Sequence, residues 1–277
     1  MTRILMDFSS DRLHMNTNAY VILPNTTIDF LANGVNYNSK GELKVLWLLH
    51  GMGDDHTGWI RYTNLERYAL ARGIAVVMPR VDSQSFYTNM VKGFAYYDYI
   101  ADELPKFMKQ TFPQFSTARE DNYIAGLSMG GYGALKIGLS RPDQYAAIGC
   151  LSAGNLIELE LPPETDEETF MTPFYGIARN AFGVTDIADA KGTKNDIKWL
   201  LDEAIRNGKN LPDIHMYCGT DDFVKAVSDS TADYIQKKSS EYPISFSYKT
   251  YPGVHDWNFW EGHLQEMLDD FGLRSFL

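Results

Sequence analysis

The chain has 277 residues, 44% of them hydrophobic and 13% aromatic, which is enough to bury a sizeable core. Its 25 Lys and Arg stand against 36 Asp and Glu, and the net charge of −11 repels phosphate backbones and anionic lipid, so neither nucleic acid nor a membrane is expected as a partner. No apolar run reaches the ~20 residues of a spanning helix, and the opening "MTRILMDFSSDRLHMN" lacks the apolar stretch and small-residue cleavage site of a signal peptide.

Taken in chain order, the first pattern is the alternation in "NAYVILP", followed by the turn-like "NGVNYNSKG". It predicts antiparallel pairing at one edge of a sheet. "LKVLWLLHG" (Leu43–Gly51) is a continuous apolar run ending in glycine, the pattern of a strand buried on both faces. A helix-compatible segment, Thr63 to Arg72, leads to a second buried strand, "GIAVVMP" (Gly73–Pro79). Ile100, Leu104, Phe107 and Met108 lie near helical spacing and predict a helix over Asp98–Thr111. "NYIAGLS" reads as a strand and Met129–Leu139 as a helix rich in small residues.

The pattern then repeats. "YAAIGCLSAG" (Tyr145–Gly154), "DIHMYCGT" (Asp213–Thr220) and "ISFSYKTYPG" (Ile244–Gly253) read as strands, with helices at Ser228–Lys238 and Phe259–Phe271. Alternating strands and helices predict an α/β class protein with a mostly parallel central sheet covered on both faces, in one domain over 1–277. Residues 155–209 interrupt the alternation with "LPPETDEETF" and the helical-looking "NDIKWLLDEAIRNG", and read as a small cap or rim inserted between strands. Cys150 and Cys218 each fall in an apolar strand, as buried thiols do, and the expected setting is the cytoplasm. The composition leaves a homo-oligomer open.

Between one of these strands and its helix lies Gly126-Leu127-Ser128-Met129-Gly130, the G-x-S-x-G pattern of a nucleophile elbow. Such a turn lifts a serine hydroxyl above the sheet, and side chains at the flanking positions would collide with the neighbouring strand and helix. The backbone N–H of Met129, at the helix start, then points to where an oxyanion would form. A serine needs a base to take its proton, and the base needs an acid to orient it. With an elbow of this kind the acid and then the histidine follow the serine, on loops after later strands. His255, in "YPGVHDWNFW", is the histidine in such a loop. His215 lies inside a strand, His263 on the last helix as a solvated residue, and His14 and His56 in polar segments without a partner. For the acid, Asp222 in "YCGTDDFV" suits a tight turn three residues past Gly219, with Asp221 as the fallback and Asp256 weaker because it adjoins the histidine. The glycine-rich "LLHGMGDDHTGW" supplies a second oxyanion donor, the N–H of Met52, while His50 anchors the loop. Glu261 and His263 lack a third ligand and read as a solvated helix face, so no metal is expected, nor any other cofactor.

"LLHGMGDDHTGW", "FYTNM" with "GFAYYDYIADELP", "AGLSMGGYGALK", "CGTDDFV" and "GVHDWNFW" together resemble the putative esterase family of α/β-hydrolases. That group includes tributyrin esterases, esterase D-like S-formylglutathione hydrolases, feruloyl and acetylxylan esterases and mycolyltransferases. The resemblance is nearest to the bacterial tributyrin esterases and weakest over 155–209. It implies an α/β-hydrolase fold, Ser128, Asp222 and His255 as a triad, and Met52 and Met129 as oxyanion donors. It also implies that Tyr87 and Trp257 lie near the substrate pocket. The implied activity is hydrolysis of a small-molecule ester with short acyl chains. Acyl transfer to a sugar or alcohol, feruloyl or acetylxylan esterase action and S-formylglutathione hydrolysis are the alternatives. One departure counts against the last: those hydrolases carry a Thr-Cys-Thr run in the oxyanion loop, where this chain has Met52-Gly53-Asp54-Asp55.

Overall fold

The computed structural model describes residues 1–24, 38–159 and 172–275, the side chains of 172–175 excepted. Eight strands form one sheet in the order β1-β2-β4-β3-β5-β6-β7-β8. The central strands are β3 (Val45–Leu49), β4 (Ala75–Pro79), β5 (Asn122–Leu127), β6 (Ala147–Leu151), β7 (Asp213–Gly219) and β8 (Phe246–Tyr251), and all of them pair in parallel. β1 (Thr2–Ser10) and β2 (Met15–Leu23) form an antiparallel hairpin that joins the sheet through β2 against β4. The edge expected from "NAYVILP" is therefore present. Its outer strand β1 gave no sequence signal, because its exposed edge position leaves the apolar alternation weak.

Every residue of β3, β4, β5 and β6 is buried, which explains their uninterrupted apolar runs. Successive side chains enter opposite layers. Val45, Trp47 and Leu49 face a core shared with α3 (Leu104–Thr111), α4 (Met129–Ser140), α6 (Ile197–Arg206) and α7 (Lys225–Ser239). Leu46 and Leu48 face the other core, closed by α1 (Gly58–Tyr62), α2 (Leu65–Arg72) and α8 (Trp257–Asp270). The predicted Asp98–Thr111 helix begins earlier, at Tyr96, and passes through a π-helical turn at Tyr99–Glu103 before α3.

Between β6 and β7, Leu156–Glu158 forms a 3₁₀ turn, followed by α5 (Thr172–Phe182), a second 3₁₀ turn and α6. The two halves of this insertion differ. Leu156, Leu159 and Ile177 overhang the carboxyl ends of the strands. Helix α6 instead joins the helical layer: Asn195, just before it, accepts hydrogen bonds from Tyr132 (2.6 Å) and Lys136 (2.7 Å) of α4. Among the described residues of the insertion, those bordering the cleft are Leu156, Leu159 and Ile177. "LPPETDEETF" and the start of "NGVNYNSKG" lie outside the described residues.

Candidate active site

The glycines around Ser128 allow its turn. A Cβ at Gly126 would lie 2.4 Å from the backbone of Gly130, and one at Gly130 would lie 2.5 Å from the carbonyl oxygen of Leu49. With those side chains absent, β5 passes directly into α4 and Ser128 takes φ 51°, ψ −123°. A non-glycine residue holds that conformation only where its surroundings over-determine it. Here the Ser128 N–H is bonded to Leu151 O (2.8 Å), and the Ser128 carbonyl accepts from Tyr132 N (3.0 Å).

Two later loops bring side chains to this serine. The loop after β7 carries Asp222 and the loop after β8 carries His255. They are joined by Thr220 N to Tyr251 O (2.9 Å) and Asp221 N to Gly253 O (3.0 Å). His255 Nε2 stands 3.0 Å from Ser128 Oγ, and Nδ1 stands 2.8 and 3.0 Å from the two Asp222 oxygens. The Asp222 side chain is fully enclosed, whereas His255 remains 16% exposed. Burial by itself pushes the Asp222 carboxyl up, but hydrogen bonds from His255, Val224 N and Ser152 outweigh it and hold the group below its ordinary range. Asp221 is exposed and bonded to Thr220, and Asp256 caps α8 by accepting from Phe259 N (3.0 Å). Of the three candidate acids, Asp222 alone meets the histidine.

The loop after β3 closes the other side. A Cβ on Gly51 would lie 2.6 Å from Leu127 and 3.5 Å from the Ser128 Cβ, so this backbone presses on the elbow. His50 is buried. Val81 N–H donates to its Nε2 (3.2 Å), so its proton is on Nδ1 and is given to Gly51 O (2.9 Å). Burial lowers its pKa, which keeps the ring a neutral strut. Met52 and Met129 both border the cleft beside Ser128, and among the described residues neither N–H is bonded to a backbone carbonyl.

The cleft over Ser128 has a volume of about 800 Å³. Leu156, Leu159, Ile177, Phe223 and Val224 form an apolar wall, and Trp257 and Trp260 flank the histidine. Trp257, which the resemblance implies near the substrate pocket, borders the cleft and packs edge-on to Trp59 at 5.3 Å. Tyr87 does not. It is wholly buried and its hydroxyl donates to His50 O (2.9 Å), supporting the loop from behind rather than lining the cleft.

The remaining histidines divide. His215 lies in β7 as expected and its Nδ1 faces Ser247 Oγ at 2.8 Å, but its buried Nε2 meets no hydrogen-bond partner among the described residues, so it is not the fully satisfied histidine that a strand position suggested. His263 is not solvated: its ring stacks on Tyr251 at 4.2 Å, because β8 lies beneath that face of α8. Nor is Glu261, which accepts from Asn64 and Tyr68 and ties α8 to α2. His56, which the sequence left without a partner, is buried and stacks on Tyr20 at 5.4 Å. Cys150 and Cys218 are buried free thiols. Two further residues at the site, Ser152 and Trp260, escaped the sequence reading. The spacing of Trp257 and Trp260 in "HDWNFW" puts both indoles near one side of a helix start and was the available signal for the second. Ser152 gave none.

Compared with known proteins, residues 10–271 match the family model described as "Putative esterase". Acetyl esterase from Caldicellulosiruptor saccharolyticus is 27% identical over 266 residues, covering 95% of this chain and 96% of that one. Among solved structures, substrate-bound FphF, a fluorophosphonate-binding serine hydrolase of Staphylococcus aureus, superimposes with a TM-score of 0.80 at 32% identity, covering 99% of both chains. The apoenzyme of S-formylglutathione hydrolase FrmB, also from Staphylococcus aureus, gives 0.78 at 32% identity, again covering 99% of both. The architecture is the α/β-hydrolase fold.

Proposed function

The chain belongs to the putative esterase family and is a carboxylic ester hydrolase, and we propose that it cleaves short-chain acyl esters through Ser128, His255 and Asp222 by way of an acyl-enzyme. The observation that carries this reading is the unbroken path Asp222–His255–Ser128, with contacts of 2.8 and 3.0 Å, at the floor of an apolar cleft. His255 takes the proton of Ser128 as the hydroxyl oxygen bonds to the ester carbonyl carbon. The carbonyl oxygen becomes an oxyanion held by the N–H groups of Met52 and Met129. Collapse of this intermediate breaks the bond to the alkoxide, which receives the proton from His255. Water, deprotonated by the same imidazole, then releases the acid and frees Ser128. Asp222 keeps the proton of neutral His255 on Nδ1, so Nε2 is available as the base.

The apolar wall formed by Leu156, Leu159, Ile177 and Phe223 suits an acyl chain, and the name of the acetyl esterase relative supports a short one. Among the described residues no helix is long and apolar enough to cross a membrane. A second reading, hydrolysis of a glutathione thioester, is favoured by the likeness to FrmB and opposed by Met52-Gly53-Asp54-Asp55 in the oxyanion loop.

The test measures hydrolysis of nitrophenyl esters from acetate to octanoate beside S-formylglutathione, in the wild type and Ser128→Ala. Ester turnover in the wild type that disappears in the variant, together with fluorophosphonate labelling of the wild type alone, is expected. Undiminished turnover in Ser128→Ala would overturn the assignment, and a marked preference for the thioester would install the second reading. Adding an alcohol acceptor and analysing products separates hydrolysis from transfer.

A further inference from the structure

The segment His50-Gly51-Met52 runs off the end of β3, and two side chains each hold one of its carbonyls. His50 Nδ1–H donates to Gly51 O at 2.9 Å, and the Tyr87 hydroxyl donates to His50 O, also at 2.9 Å. A trans peptide unit is planar, so its C=O and N–H point in opposite directions. Among the described residues no peptide bond is cis. Holding Gly51 O therefore aims the N–H on the far side of the same plane, which is that of Met52. Holding His50 O fixes the preceding plane, on which that one pivots.

Tyr87 reaches His50 from a strained turn. It and Phe86 both lie in the left-handed region, with φ 48° and 46°, which bulky residues rarely adopt. Glycine would hold either position without strain, so the aromatic side chains are the feature to explain. The surroundings over-determine the turn. The Ser85 carbonyl accepts from Thr88 N (3.0 Å) and the Ser85 hydroxyl from Tyr87 N (3.3 Å). The Tyr87 ring fills the notch that Gly133 leaves in α4, where a Cβ would lie 2.5 Å from it. Phe86 packs on Phe182 of α5, with ring centroids 5.1 Å apart. Phenylalanine at 87 would serve this packing equally, and only the bond to the His50 carbonyl calls for the hydroxyl. Tyr87 is wholly buried and does not border the cleft, so it touches no substrate.

We propose that Tyr87 and His50 are positioning residues, whose hydrogen bonds to two successive carbonyls set the direction in which the Met52 N–H meets the oxyanion. This inference rests on the esterase reading above and on Met52 as a donor in it. The donor is a backbone group that no substitution removes cleanly, whereas its two anchors are side chains. Losing its aim weakens the transition state and not the bound ester, because the negative charge that this N–H meets exists only once Ser128 has added to the carbonyl.

The test is hydrolysis of nitrophenyl acetate by the full chain as wild type, Tyr87→Phe, His50→Gln and Thr88→Val, with kcat expressed per site titrated to completion by fluorophosphonate. Tyr87→Phe is expected to lower kcat per site about ten-fold, with KM within about two-fold and the acidic limb of the pH profile unmoved. A trifluoromethyl ketone gives the second readout. Ser128 Oγ bonds to its carbonyl carbon, the serine proton passes to His255, and the carbonyl oxygen becomes the anion in the hole. Its inhibition constant should rise by the same factor as kcat/KM falls. A merely structural tyrosine would lower the number of titrated sites and leave kcat per site and ketone affinity at wild-type values, which overturns the inference. An effect confined to KM, or a shifted acidic limb, overturns it as well. Thr88→Val disturbs the same turn through a hydroxyl that donates to Asn195 instead (3.0 Å), and should keep kcat per site within about two-fold. A loss there equal to that of Tyr87→Phe overturns the inference. If Tyr87→Phe fails to fold, His50→Gln reads the other anchor: its amide oxygen can still accept from Val81 N, but no donor remains for Gly51 O. Wild-type kcat and ketone affinity in that variant overturn the inference equally. A wild type that neither hydrolyses the ester nor reacts with fluorophosphonate removes the esterase reading itself. An active, labelled wild type with indifferent Tyr87 and His50 variants removes only this inference.

Discussion

A Cβ placed on Gly219 would lie 2.4 Å from the carbonyl oxygen of Gly253, so the loops after β7 and β8 touch backbone to backbone. That contact is what lets Asp222, three residues beyond one glycine, meet His255, two residues beyond the other. Gly219→Ala should force the loops apart, lowering stability by about 2 kcal/mol and kcat by a larger factor than the stability loss explains. Thermal melting and kcat measured on the same preparation check it. An alanine variant with wild-type kcat would show that the close approach is dispensable.

The adjacent acids offer an internal control. Asp222→Asn should lower kcat by roughly 10⁴-fold with the fold intact, because the amide stabilises the wrong histidine tautomer. Asp221→Asn, altering an exposed carboxylate that accepts a hydrogen bond from Thr220, should leave kcat within about two-fold. Side-by-side kinetics decide, and similar losses in both would contradict the assignment of the acid. The lowered pKa of Asp222 carries a sign for stability too. Its contribution is fully present above its ordinary value of 3.8 and is lost as pH falls through the lower folded value.

Leu156 and Ile177 come from the insertion and face the cleft. Enlarging one of them, as in Leu156→Trp, should lower kcat/KM for octanoate relative to acetate by about ten-fold or more. Ile177→Ala should move the ratio the other way. A chain-length series of nitrophenyl esters measures both, and an unchanged ratio in the two variants would place the acyl group elsewhere.

Lys136 on α4 is fully buried, its Nζ 2.7 Å from Asn195 Oδ1, and burial holds its amine well below the ordinary 10.5. The unfolded chain binds that proton more readily than the folded one, so stability rises with pH up to about 10.5. Lys136→Met should therefore be more stable than wild type by ~1–2 kcal/mol at neutral pH, with the advantage shrinking as pH rises toward 10. Asn195 keeps the Thr88 hydroxyl as a donor at 3.0 Å. Urea unfolding at two pH values tests the slope, and a variant less stable than wild type at neutral pH would mean that the amine stabilises the packing of α4 against α6.

By itself the sequence determined whatever depends on near neighbours in the chain. Strands buried on both faces announce themselves as unbroken apolar runs, and the elbow around Ser128 announces itself because a strand that turns straight into a helix needs glycine at fixed offsets. Residue order after Ser128 also singled out His255 as the candidate base and narrowed the candidate acid to a pair. That Asp222 and not Asp221 contacts His255, that Tyr87 is buried behind His50 and not at the cleft, and that α6 packs on α4 while Leu156 and Ile177 reach the cleft were visible only in the tertiary structure. Each depends on the direction of a side chain relative to an element distant in sequence, and that direction is set by the contact between loops, not by the residues on either side of it.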